Sequence, residues 1–120
     1  MSIKNYKTWL FIIYVITVMY LSFNSFVIFN NQWKYDIYIH FIEYFILGFL
    51  FVNAIMDGDC EVNIKWIFLF ILSFASIDEA IQYFTPNRIS SLKDISIDVV
   101  GGMSGSLLLN YFKNSRNNDK

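Results

Sequence analysis

The sequence predicts an all-α integral membrane protein, a bundle of four transmembrane helices with both termini in the cytoplasm. Three observations lead there. The chain is 56% hydrophobic and only 16% charged, whereas about a quarter of a soluble domain is charged. Thirteen Phe and eight Tyr in 120 residues exceed what one small soluble core can bury, because a fold of this size leaves much of its surface wet. Four long apolar runs alternate with short polar connections. Strands do not fit this pattern: lipid forbids open sheet edges, and four segments are too few to close a barrel.

The first span is expected at about 8–28. No charge falls between Thr8 and Trp33, and "WLFIIYVITVMYLSF" is apolar on every side of a helix. Lys4 and Lys7 precede it as in a signal peptide, but "LSFNSF" offers bulky residues where cleavage needs small ones. The segment is therefore expected to be retained. The second span, about 37–56, reads "IYIHFIEYFILGFLFVNAIM". The third, about 65–84, opens with "WIFLFILSFA" and runs into "SIDEAIQYFTPNR". The fourth, about 92–112, reads "LKDISIDVVGGMSGSLLLNYF", and the polar tail "KNSRNNDK" is expected to fray. The whole chain, 1–120, reads as one domain.

Lys and Arg set the orientation. With the N-terminus inside, Lys4, Lys7, Lys65, Lys113, Arg116 and Lys120 lie on the cytoplasmic side, against Lys34, Arg88 and Lys93 outside. The single cysteine, Cys60, excludes an internal disulfide and a cysteine-based zinc site. A net charge of −1 leaves no electrostatic footprint for nucleic acid.

In this topology the polar residues converge at the outer end. His40 enters there with Glu43 about 4.5 Å deeper. Asp78, Glu79 and Gln82 occupy the last turns of the third span, and Asp94 and Asp98 the first turns of the fourth. His40/Glu43 and Glu79/Gln82 are spaced i, i+3, and Asp94/Asp98 i, i+4, so each pair shares a helix face. Arg88 and Lys93 lie in the connection or beside it. Gly101, Gly102 and Gly105 follow Asp98 on the same face, and Gly101-x-x-x-Gly105 is a close-packing pattern for membrane helices. Gly48, about 140° around the helix from Glu43, is less clearly on the polar face.

Plainer roles exist for several of these residues. Asp94 follows Ser91 as in a helix cap, Pro86-Asn87 suits a turn, and His40 suits an interfacial histidine bonded to a carbonyl. The GxxxG pattern suits packing alone. Glu43, Glu79 and Asp98 resist such readings, because an ionisable group in a membrane segment costs at least ~2.5 kcal/mol at mid-depth. Together they repel unless some hold protons, or Arg88, His40 or a metal neutralises them.

"HFIEYFILGFL" and "DEAIQYFTPNRISSLKDISIDVVGGMSG" resemble the VanZ-like family of small bacterial membrane proteins, with the likeness running from about His40 to Gly105 and a signature region of about 37–112. By position, the resemblance assigns signature roles to His40, Tyr44, Glu79, Gln82, Arg88, Asp94 and Asp98, with Gly101 or Gly102 and Gly105. Many members carry Asn where this chain has Asp98, and Glu43 is less typical. The resemblance implies a multi-pass protein of the bacterial cytoplasmic membrane linked to the cell envelope. The name-giving member is associated with teicoplanin resistance.

Three functions fit these residues. In the first, an outward-facing polar pocket binds or modifies an envelope ligand. Arg88, with Lys93, would grip a phosphate or carboxylate, while Glu79, Gln82, His40, Tyr44, Asp94, Asp98 and Glu43 line the site. A lipid-linked wall precursor or a lipoglycopeptide has that chemistry, and membrane lipid is the surrounding partner. In the second, the protein is an enzyme acting on a lipid-linked phosphate or sugar, with His40 as acid or base and Glu79 as its partner or as general base. A metal bridging His40 with Glu79 and Asp94 or Asp98 belongs to that reading. The third is a small proton-coupled transporter, which the outward bias of the cluster disfavours.

Overall fold

A computed structural model describes residues 3–23, 36–55, 63–84 and 92–118. They form four α-helices, with no strand among the described residues: α1 (Ile3–Phe23), α2 (Asp36–Ile55), α3 (Ile64–Phe84) and α4 (Leu92–Asn118). The bounds of α2 and α3, and the start of α4, lie within a residue of those expected. Asn63 caps α3: its side-chain oxygen accepts the Lys65 backbone N–H at 3.0 Å, and its carbonyl accepts from Trp66 and Ile67.

Two expectations need correction. α1 starts at Ile3 rather than near residue 8 and takes in Lys4 and Lys7; the last residues of the expected span, 24–28, lie outside the described ones. α4 continues to Asn118, six residues beyond 112, so most of the tail expected to fray is helical. Polarity marks where apolar burial stops, and it does not by itself end a helix. No Gly or Pro follows Gly105, and Arg116 in the last turn complements the helix dipole.

The contacts fix the helix directions. Gly101 of α4 meets Phe41 of α2, and Gly105 meets Phe45 one turn later, so α2 and α4 run parallel. Tyr44 pairs with Asp78 while Phe51 stacks on Phe70, so α3 runs against α2 and therefore against its parallel neighbour α4. Tyr14 bonds the Glu43 carbonyl while Phe11 packs on Phe51, so α1 is antiparallel to α2.

Glycine is required at the α2–α4 crossing. A Cβ at Gly101 or Gly105 would overlap the carbonyl oxygen of Phe41 or Phe45. A Cβ at Gly48 would meet the Gly102 carbonyl and Ser106 Oγ. Gly48 thus belongs to the packed seam, a role its position relative to Glu43 did not disclose. Backbone-to-backbone approach of this kind is what small-residue motifs permit between apolar helices.

Beyond this seam the core is aliphatic and aromatic. Tyr44, Leu47, Val52, Ile67, Ile71 and Ala75 are fully buried. Phe51 stacks on Phe70 at 3.9 Å between ring centroids, and Phe11 packs against both. The exterior is also apolar: Trp9, Ile13, Ile16, Ile42, Trp66, Leu69, Ile77 and Val100 are exposed. Hydroxyls of Thr17, Ser76, Ser96, Ser104 and Ser106 each bond the carbonyl four residues earlier, which satisfies them inside their own helix. Among the described residues, two helices are long and apolar enough to cross a membrane, over Tyr38–Ile55 and Leu92–Arg116, and α1 carries a shorter apolar stretch, Tyr6–Tyr20.

Candidate functional site

The buried stripe of α3 changes character along its length. Ile67, Ile71 and Ala75 are followed, on the same face, by Asp78, Glu79 and Gln82. Helical spacing of three and four brings all of them to the interior. Their neighbours Ile77 and Tyr83 face outward. The same inversion occurs on α2, where His40 and Tyr44 are buried while Ile39 and Ile42 are exposed. On α4, Asp94 and Asp98 are buried and Lys93 is exposed. Because α2 and α4 are parallel and α3 opposes them, the start of α2, the start of α4 and the end of α3 meet at one end of the molecule.

His40 Nδ1 lies 2.9 Å from Asp98 Oδ1, so one proton bridges imidazole and carboxylate. Asp98 is wholly buried, and its second oxygen, Oδ2, has no hydrogen-bond partner among the described residues. The glycine seam one turn away sets the close approach of α2 and α4 at which this pair forms. Glu79 completes a trio: His40, Glu79 and Asp98 each offer a ligand-type atom, all within 4.8 Å of one another.

A second polar group lies alongside. The Tyr44 hydroxyl donates to Asp78 Oδ2 at 2.9 Å, and Gln82 Nε2 reaches the same oxygen at 3.5 Å, the outer limit of a hydrogen bond. Asp78 was not singled out as a site residue from sequence. Its spacing of i, i+4 to Gln82 was the available signal, masked by the equally regular Glu79/Gln82 pair.

The expected residues therefore divide. His40, Glu79 and Asp98 come together, and Tyr44 and Gln82 join through Asp78. Asp94 is buried one turn before Asp98. Glu43 is only half-buried and is not one of the clustered three; its backbone carbonyl accepts the Tyr14 hydroxyl at 2.6 Å. Gly101, Gly102 and Gly105 are buried, with Gly102 against Ile71. Arg88, with Pro86 and Asn87, lies outside the described residues.

Fold and site together define, among the described residues, an all-helical protein with many apolar side chains on its exterior and its buried ionisable residues gathered at one end. A family model described as VanZ/LLP1 matches residues 38–113. The chain belongs to the VanZ/LLP1 family, and the matched region contains the whole polar cluster. No curated protein and no solved structure matches the chain.

Proposed function

We propose that this is a single-domain, multi-pass protein of the bacterial cytoplasmic membrane. Its four helices span, both termini are cytoplasmic, and the polar end forms a pocket facing outward. The pocket binds or modifies a cell-envelope ligand bearing a phosphate or carboxylate, such as a lipid-linked wall precursor or a lipoglycopeptide. One observation carries the reading: His40, Asp78, Glu79, Gln82, Asp94 and Asp98 are buried together in a molecule whose outer surface is apolar. Ionisable groups in such surroundings are costly and mark function by default. Arg88, with Lys93, supplies the positive charge for the ligand's anionic group.

The family resemblance connects this pocket to glycopeptide resistance, and susceptibility to teicoplanin and other wall-active antibiotics tests it. Hosts expressing wild type, Glu79→Gln or Arg88→Ala at matched membrane abundance are compared with empty vector. Protection by wild type alone supports the reading. Equal behaviour of all three with empty vector removes the resistance role, and full protection by both variants removes the site. Orientation is tested separately: an impermeant thiol reagent should label Cys60 only after the membrane is opened.

A second reading is favoured by the direct His40–Asp98 hydrogen bond beside Glu79. An imidazole held by one carboxylate and close to another is an acid–base arrangement, suited to an enzyme acting on a lipid-linked phosphate or sugar. Turnover of such a substrate by purified wild type, lost in His40→Gln, distinguishes it from simple binding.

A further inference from the structure

We propose that His40, Glu79 and Asp98 form a site for one divalent transition-metal ion of the zinc or manganese class. The inference deepens the function proposed above and rests on the same buried cluster as the working site.

Geometry is the first support. The three groups come from three different helices, α2, α3 and α4, yet their ligand-type atoms all lie within 4.8 Å of one another. Metal–nitrogen and metal–oxygen bonds of about 2.0–2.2 Å place two ligands at most about 4.4 Å apart. The cluster therefore needs only side-chain adjustment to close around an ion. The His40–Asp98 hydrogen bond at 2.9 Å already holds two of the ligands at a suitable separation. An ion takes the place of the bridging proton, which is released on binding.

Charge is the second support. Two carboxylates and a neutral imidazole sum to −2, which a divalent cation cancels. In a buried, low-dielectric setting that cancellation favours a doubly charged ion over a single cationic side chain. The third support is Asp98 Oδ2, which is buried, belongs to a side chain with no solvent exposure, and lacks a hydrogen-bond partner among the described residues. A metal bond would satisfy it. Asp78 is a different case, because Tyr44 and Gln82 already share its Oδ2.

The donor set selects the ion. One imidazole with two carboxylates suits zinc or manganese, and the absence of sulfur from the trio disfavours soft ions. Three protein ligands also leave a coordination position open. An anionic ligand reaching the outer end of the bundle could take that position.

The test uses the full chain in lipid nanodiscs, stripped with chelator, equilibrated with Zn²⁺ and desalted. Wild type and the control Ser104→Ala, whose hydroxyl only bonds Val100 of its own helix, should each retain about one zinc per chain. His40→Gln, Glu79→Gln and Asp98→Asn should each bind at least about tenfold more weakly in competition with a chelating dye. Zinc K-edge absorption on wild type should show nitrogen and oxygen ligands at about 2.0–2.2 Å with the scattering of one imidazole. Wild type holding less than about a tenth of an equivalent overturns the proposal. So do ligand variants that bind like wild type, or a sulfur ligand at about 2.3 Å, which would point to Cys60. Zinc binding without antibiotic protection leaves the metal site standing and defeats the resistance role; protection without zinc does the reverse.

Discussion

The two ends of the bundle are built from the same helices by opposite rules. At one end Phe51 stacks on Phe70 with Phe11 tilted against both, and Ile67, Ile71 and Leu47 fill the space between helices. That end is held by shape and by contact between carbon atoms. At the other end the same faces of α2, α3 and α4 carry His40, Tyr44, Asp78, Glu79, Gln82 and Asp98, joined by a few directed hydrogen bonds. Burying these groups gains little stability, since each bond replaces one that water would have made and the charges lose their solvation. The difference shows that the change from packing by shape to directed polar bonding falls along a single helix, between Ala75 and Asp78.

Substitutions at the two ends should therefore fail in different ways. The largest effect is expected at the seam that supports both. Gly105→Leu drives a side chain into the Phe45 carbonyl, and the loss should reach or exceed about 3 kcal/mol, the upper range for overpacking. Thermal unfolding in detergent, or failure of folded protein to accumulate, reads it. Phe70→Ala removes the stacked partner of Phe51 and should cost about 3 kcal/mol without altering any hydrogen bond of the polar end.

The polar end sharpens the contrast through a double variant. Asp78→Leu leaves the buried Tyr44 hydroxyl without its acceptor and should destabilise by about 2 kcal/mol. Adding Tyr44→Phe should recover the part of that loss due to the stranded hydroxyl, because removing both partners of a buried bond is close to neutral, while the part due to the Gln82 amide remains. If the double variant stays as unstable as the single, the polar end contributes to folding and the contrast fails. The smallest change is expected for Ser104→Ala, which loses only a hydrogen bond within its own helix and should stay within about 0.5 kcal/mol of wild type.

Much of this arrangement was legible in the residues. Hydropathy located α2, α3 and the start of α4, and helical spacing put Glu79 with Gln82 and Asp94 with Asp98 on common faces. The alternation of helix direction then sent His40, Glu79 and Asp98 to one end. The rest depended on what a linear pattern does not hold. Which carboxylate receives His40 depends on how α2 and α4 are rotated about their axes, and backbone contact at Gly101 and Gly105 decides for Asp98. Gly48 could be placed only against the neighbour it touches. The long end of α4 is not visible in hydropathy, because loss of apolar character does not by itself end a helix and no Gly or Pro interrupts the chain after Gly105.

The glycine seam also has a mechanical meaning. Where Gly101 and Gly105 meet the Phe41 and Phe45 backbone, α2 and α4 approach too closely for larger side chains to lie between them and form one closely packed strut. His40 and Asp98 are both mounted on that strut, while Glu79 arrives on α3, whose contacts with it run through side chains such as Ile71 and Asp78. Any movement that widens the cluster would separate Glu79 from the other two before it separated them from each other. Glu79 is thus the one member of the trio carried by a helix outside the α2–α4 seam.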